Sequence, residues 1–205
     1  MKPAVFLDRD GVINQNRPDY VKRWEEFEFL PNALIALRRL AIFGWPVIVI
    51  TNQSIIGRAL VSRAAVDDIH ERMLKSVSNA GGRIDSIFCC PHRPDELCEC
   101  RKPRPGLLLR AAAQFSIDLQ RSYLVGDAES DLEAARAAGC KAVFVKSGRG
   151  NDLLERMDAD ALSNIHVEDD LDAAVLWIAA VSGFSQAVAV NQHRVTPKVI
   201  VGLES

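Results

Sequence analysis

The run Pro46-Val47-Ile48-Val49-Ile50 has no polar residue at any alternate position. Successive strand side chains point to opposite faces, so a strand of this composition needs an apolar layer on both sides. Its β-branched residues suit a pleated backbone, and the place for such a strand is the middle of a parallel sheet. Shorter apolar runs recur at Ala4-Val5-Phe6-Leu7, Tyr123-Leu124-Val125 and Ala142-Val143-Phe144-Val145, and residues 84–89 read as a further strand. Helical patterns separate them. Residues 31–43 place Leu34, Leu37, Leu40 and Ile42 at helical spacing before Gly44. Ser62 can cap a long helix that ends near Ala80, before Gly81-Gly82. Further helices are expected over 105–115, about 130–138 and 171–181. This alternation predicts an α/β protein, a three-layer sandwich around a parallel sheet.

The chain has 205 residues, 48% of them apolar and 25% charged, which is ordinary globular composition with enough length for a sizeable core. Its net charge of -2 argues against a large nucleic-acid footprint, which needs a basic excess. No export segment precedes the first strand, and the longest apolar run, 173–181, is far shorter than a membrane span. The expected location is the cytoplasm, where thiols stay reduced. Residues 1–182 read as one domain. Residues 183–205 read as a tail, either disordered or packed as an edge strand through its β-like runs at 187–190 and 199–201.

Open α/β sheets bind ligands beyond the carboxyl ends of their strands, so polar residues placed there carry most weight. The first strand runs into Asp8-Arg9-Asp10-Gly11-Val12, and the fourth into Gly126-Asp127-Ala128-Glu129-Ser130-Asp131. Singly, Asp8, Asp10 and Asp127 read first as turn residues or helix caps. Together at neighbouring strand ends they repel one another unless a divalent cation lies between them, and hard oxygen ligands suit magnesium. Asp131 either caps the following helix or orients a group of the metal site. The second strand leads into Thr51-Asn52-Gln53-Ser54, donors for phosphoryl oxygens or simply a Ser/Thr turn. Arg101 and Lys102 precede the helix at Pro105.

Cys90, His92, Cys98 and Cys100 form C-x-H-x5-C-x-C, four ligands within eleven residues. That set suits tetrahedral structural zinc, which would pin the loop carrying Arg101 and Lys102. The alternative is buried thiols beside a surface histidine. Cys89 is expected to be a buried strand residue and Cys140 a core residue.

Asp-x-Asp-Gly-Val after the first strand and Gly-Asp-x-x-x-Asp after the fourth resemble the first and fourth motifs of the haloacid dehalogenase superfamily. The resemblance spans about residues 3–150. It implies a Rossmann-like fold, and the sequence carries no insertion large enough for a large cap. The resemblance also implies that Asp8 is a nucleophile forming an aspartyl-phosphate and that Asp10 is the acid and then the base. Thr51 and Lys102 would serve as the second and third motif residues. The Asp8 and Asp127 side chains and the Asp10 carbonyl would hold magnesium. The zinc pattern followed by Arg-Lys-Pro is similar to two groups within it, the D-glycero-D-manno-heptose 1,7-bisphosphate 7-phosphatases and the histidinol-phosphate phosphatases. Asp19-Tyr20-Val21 and Thr51-Asn52-Gln53-Ser54 with Arg58 resemble the heptose group, whereas Ile55, Ala59 and Ala128 depart from it. The expected substrate is a small phosphorylated sugar contacted by Asn16, Asp19, Tyr20, Asn52, Gln53, Ser54, Arg58 and Arg101. Neither nucleic acid nor membrane is an expected partner, and the chain is expected to act as a monomer.

Overall fold

The computed structural model describes residues 1–156 and 165–184; the tail runs at 187–190 and 199–201 lie outside the described residues. Strands β1 (Val5–Leu7), β2 (Val47–Asn52), β3 (Ser86–Cys90), β4 (Tyr123–Gly126), β5 (Lys141–Val145) and β6 (His166–Glu168) form one sheet in the order β3-β2-β1-β4-β5-β6. Every pairing is parallel. β1 lies at the centre, with Val5 opposite Val47 on one side and Tyr123 on the other.

Strand alternation sends the inward side chains to two cores, as the unbroken apolar runs require. Val5, Leu7, Val47, Val49, Val125 and Val143 face one layer. That layer is built from α1 (Ala33–Ile42), α3 (Arg63–Asn79) and α7 (Leu171–Val181). Phe6, Ile48, Ile50 and Leu124 face the other, built from α4 (Gly106–Phe115) and α5 (Glu129–Ala138). The three-layer sandwich is the architecture expected. Ser62 caps α3 as anticipated, its Oγ accepting from the Ala65 N–H at 3.1 Å. No helix among the described residues is long and apolar enough to cross a membrane.

Three local features differ from expectation. β6 is a sixth strand that no apolar run announces. Its His-Val-Glu sequence is half-buried at a sheet edge, where one face stays polar. β3 begins at Ser86, not at residue 84, and extends to Cys90. Cys90 is therefore fully buried, while Cys89 is half-buried, not buried. Two short helices, α2 (Ser54–Gly57) and α6 (Gly150–Leu154), lack the length for a periodic signal.

The strand order reverses direction at β1, so the crevice between the carboxyl ends of β1 and β4 is where a ligand belongs. β1 stops level with Val49 and Val125. Asp8 emerges there and donates its N–H to the Val125 carbonyl at 2.9 Å. The long segment between β1 and α1 folds back over the sheet end. Its Gln15 N–H donates to Glu28 O at 2.8 Å and its Leu30 N–H to Ile13 O at 2.9 Å. Trp24, Phe27 and Phe29 anchor it through ring contacts of 5.1 and 5.0 Å.

α1 and α7 are also joined by a nearly buried pair, Arg39 Nε to Asp172 Oδ1 at 2.8 Å. Burial raises the Asp172 carboxyl above its usual range, and Arg39 only partly offsets this. The pair therefore adds little net stability, yet breaking it leaves a charge stranded. Asp172→Ala should cost about 3 kcal/mol in urea denaturation, whereas Arg39→Met with Asp172→Leu should be near neutral. Equal losses in the two variants would contradict this.

Candidate active site

A cavity of about 550 Å³ opens over the β1–β4 crevice. Lys102 forms its floor, 3% exposed and reached from the loop before α4. Its Nζ lies 2.9 Å from Asp8 Oδ1 and 2.6 Å from Asp131 Oδ1, and donates to the Ile50 carbonyl at 2.9 Å. Burial alone would disfavour its charge, but Asp131 and Asp8 outweigh burial and raise its pKa. The backbone of Lys102 is clamped by Asn52 at the end of β2. Asn52 Nδ2 donates to Lys102 O and Lys102 N–H donates to Asn52 Oδ1, both at 3.1 Å.

Asp8, Asp127 and Asp131 each place a carboxylate oxygen within 4.8 Å of the others. Burial pushes Asp8 up to about 7, against the pull of Lys102 and with added repulsion from Asp131 and Asp127. Burial likewise pushes Asp127 up to about 6, opposed by the Arg149 N–H that donates to its Oδ2 at 2.8 Å. Asp127 Oδ1 is buried with no hydrogen-bond partner. Crowded carboxylates with an unpartnered buried oxygen form a donor set that fits a hard divalent cation such as magnesium. Two glycines let Asp127 approach. A Cβ on Gly11 would meet its Oδ2 at 2.1 Å, and one on Gly148 at 2.3 Å.

The Asp10 carboxylate turns away from that cluster. Its Oδ1 accepts from Arg9 Nη2 at 2.8 Å and Asn14 Nδ2 at 2.9 Å, and its Oδ2 accepts from Arg9 Nη2 at 2.8 Å and Gln53 Nε2 at 2.7 Å. Burial pushes Asp10 up, but Arg9, Asn14 and Gln53 together bring it below the ordinary carboxylate value. Of the expected magnesium set, Asp8 and Asp127 thus cluster by side chain with Asp131, and Asp10 does not. Any part Asp10 has in holding the ion falls to its backbone.

The expected substrate residues divide into three groups. Asn16, Tyr20, Ser54, Arg58 and Arg101 line the cavity, with Thr51. Asn52 and Gln53 line it too, but Asn52 is engaged by Lys102, and Gln53 Nε2 is shared between Asp10 and Thr51 Oγ1 at 2.9 Å. Asp19 lies outside the lining. It is exposed and paired with Lys22 at 2.6 Å and Arg17 at 3.2 Å, because the chain turns at Tyr20 with a positive φ of 67°. Arg17, within the expected 16–20 loop, also lines the cavity, as do Gly148 and Arg149, which no sequence expectation included. A signal for the last two existed, since Lys146-Ser147-Gly148-Arg149 directly follows the fifth apolar run. Arg17, Arg58, Arg101 and Arg149 give the cavity wall a strongly cationic character.

Beside the cavity, Cys90, His92, Cys98 and Cys100 converge. Cys90 Sγ lies 3.6 Å from His92 Nδ1 and 3.6 Å from Cys98 Sγ, and Cys100 Sγ lies 3.2 to 3.4 Å from the other three. Near-equal edges among three sulfurs and one nitrogen fit a closed tetrahedral zinc site. Arg101 donates to the His92 carbonyl at 3.3 Å, which ties this loop to the cavity.

The HAD-hydrolase-like family model matches residues 99–174. The D-glycero-beta-D-manno-heptose-1,7-bisphosphate 7-phosphatase of Pseudomonas aeruginosa is 44% identical over 149 residues, covering 73% of this chain and 84% of that one. The D-glycero-D-manno-heptose-1,7-bisphosphate 7-phosphatase of Thermosynechococcus vestitus is 37% identical over 188 residues, covering 86% and 95%. Among solved structures, the D,D-heptose 1,7-bisphosphate phosphatase of B. bronchiseptica, complexed with magnesium and phosphate, superposes with a TM-score of 0.81 at 38% identity, covering 88% of this chain and 99% of that one.

Gly148→Ala is expected to push Asp127 off its position without unfolding the sheet. The magnesium concentration for half-maximal activity should rise about tenfold or more, while far-UV circular dichroism stays unchanged. An unchanged magnesium requirement would show that Asp127 tolerates the added methyl.

Proposed function

The chain belongs to the haloacid dehalogenase-like hydrolases and is a phosphoric monoester hydrolase, and from that premise we propose that it removes the 7-phosphate of D-glycero-D-manno-heptose 1,7-bisphosphate through an aspartyl-phosphate on Asp8. The observation that carries this reading is the contact of Lys102 with Asp8 at 2.9 Å beneath a cavity walled by arginines. The relatives at 37–44% identity are named for that activity. A second phosphate on the substrate also accounts for a cationic rim larger than one phosphate needs.

In this mechanism an Asp8 carboxylate oxygen attacks phosphorus in line with the ester oxygen. As the P–O ester bond breaks, Asp10 gives its proton to the leaving oxygen. An arriving phosphate places negative charge beside Asp10 and favours the protonated form that this step needs. Asp10 then takes a proton from water as that water attacks phosphorus, and the bond to Asp8 breaks, releasing inorganic phosphate. Lys102 and Thr51 meet the phosphoryl oxygens throughout. Magnesium, held by Asp8, Asp127 and the Asp10 carbonyl, would supply the positive charge that lets an anion approach an anion. Asp131 fixes Lys102.

In the same reading, residues 1–182 are one phosphatase domain acting as a monomer. Zinc on Cys90, His92, Cys98 and Cys100 fixes the approach of Arg101 and Lys102. A reducing compartment such as the cytoplasm keeps those ligands available.

Phosphate release from the heptose bisphosphate with magnesium should exceed release from histidinol phosphate in kcat/KM. Asp8→Asn should lose at least about 1,000-fold in kcat. Faster turnover of histidinol phosphate would reassign the substrate, and full activity in Asp8→Asn would remove Asp8 as nucleophile. Metal analysis of the purified chain should find one zinc per chain. Cys98→Ser should lose it together with activity, and a zinc-free chain with full activity would make the cluster incidental.

A further inference from the structure

Arg9 sits between the two aspartates of the first motif and is 1% exposed. A buried guanidinium needs partners on all sides, because an unpaired charge there costs several kcal/mol. Among the described residues its side chain has two. Its Nη2 donates to both oxygens of Asp10 at 2.8 Å, and its Nη1 lies 3.1 Å from His70 Nε2. His70 comes from α3, is 7% exposed and does not line the cavity.

A guanidinium has only donors. The contact at 3.1 Å therefore requires a lone pair on His70 Nε2, which places the ring hydrogen on Nδ1 and leaves the ring neutral. Burial and the charge of Arg9 both press in this direction, holding His70 down to about 3. The ring acts as a fixed acceptor in a position that no other described side chain fills. It sets the plane of the guanidinium, and that plane decides whether one nitrogen can reach both oxygens of Asp10.

We propose that His70 is a positioning residue for phosphoryl transfer, a neutral acceptor that holds Arg9 so that Arg9 holds Asp10 facing the leaving oxygen. The proposal rests on the reading of Asp10 as the proton carrier. Buried Asn14 and cavity-lining Gln53 complete the cage, at 2.9 and 2.7 Å from Asp10. His70 is its far end, anchored on α3, which buries Ile69, Met73 and Val77 in the core.

Steady-state kinetics on His70→Leu, His70→Gln and Asp10→Asn tests this. A glutamine amide oxygen can stand where Nε2 stands and accept from Arg9, but leucine cannot. His70→Leu should lose about tenfold or more in kcat with KM within about twofold, and His70→Gln should recover most of that loss. Wild-type kcat in His70→Leu, or equal loss in both variants, overturns the proposal. Full activity in Asp10→Asn instead removes the proton-carrier reading, and the positioning role with it. Loss in Asp10→Asn with no loss in His70→Leu removes the positioning role alone. Long-range ¹⁵N–¹H correlation spectra of the wild-type protein provide a test free of any folding defect, with the His70 signals assigned by their absence in His70→Gln. They should show a neutral ring with its hydrogen on Nδ1 at pH 7. A charged ring, or a hydrogen on Nε2, overturns the proposal.

Discussion

An ammonium group buried as deeply as that of Lys102 would lose several kcal/mol of hydration if it stood alone. It does not stand alone, because Asp8 and Asp131 approach it within 2.9 and 2.6 Å. That arrangement explains much of what surrounds it. Three carboxylates, those of Asp8, Asp127 and Asp131, crowd together where one ammonium stands, so the crevice favours further positive charge. Burial, with that like charge added to it, raises Asp8 and Asp127, and the crowding suits a divalent cation. A divalent cation bound there would, with Lys102, turn a repulsive pocket into one that accepts a phosphate.

Several separate pieces of backbone serve that contact. The Asn52 amide grips both backbone groups of Lys102 from the end of β2. Asp131 reaches Lys102 from α5, and a Cβ on Gly126 would lie 2.3 Å from the Asp131 Cβ, so only glycine fits there. The cysteine and histidine cluster fixes the loop on the other side, and Arg101 bonds back to it. Asp10 is held by a different set, Arg9, Asn14 and Gln53, with His70 behind. Asp8 and Asp10 thus have different side-chain partners, and Arg9 links them, its N–H donating to Asp8 Oδ1 at 2.7 Å while its side chain holds Asp10.

Strands β1, β2, β4 and β5 were legible because both faces are covered and their apolar runs are unbroken. β6 was not, because a half-covered edge strand of three residues leaves no such run. The acidic residues were legible from their places after strands, whereas Lys102, in the loop before α4, was legible only through the motif it resembles. Asn52 and Gln53 were expected to touch substrate, since strand position shows where a residue is and not which hydrogen bonds its side chain makes. Asp19 was misplaced for a similar reason, because one positive-φ residue at Tyr20 decides which side chains of that loop face inward. Arg9 and His70 lie 61 residues apart, and only the packing of α3 on the sheet brings them together.

The most direct test of the whole account is to find the phosphoryl group on the chain. Wild-type enzyme mixed with the heptose bisphosphate and magnesium, quenched during turnover and reduced with borohydride, should carry homoserine at position 8 in peptide mass spectra. Rapid turnover with an unmodified Asp8, or with the label on another carboxylate, would contradict the account.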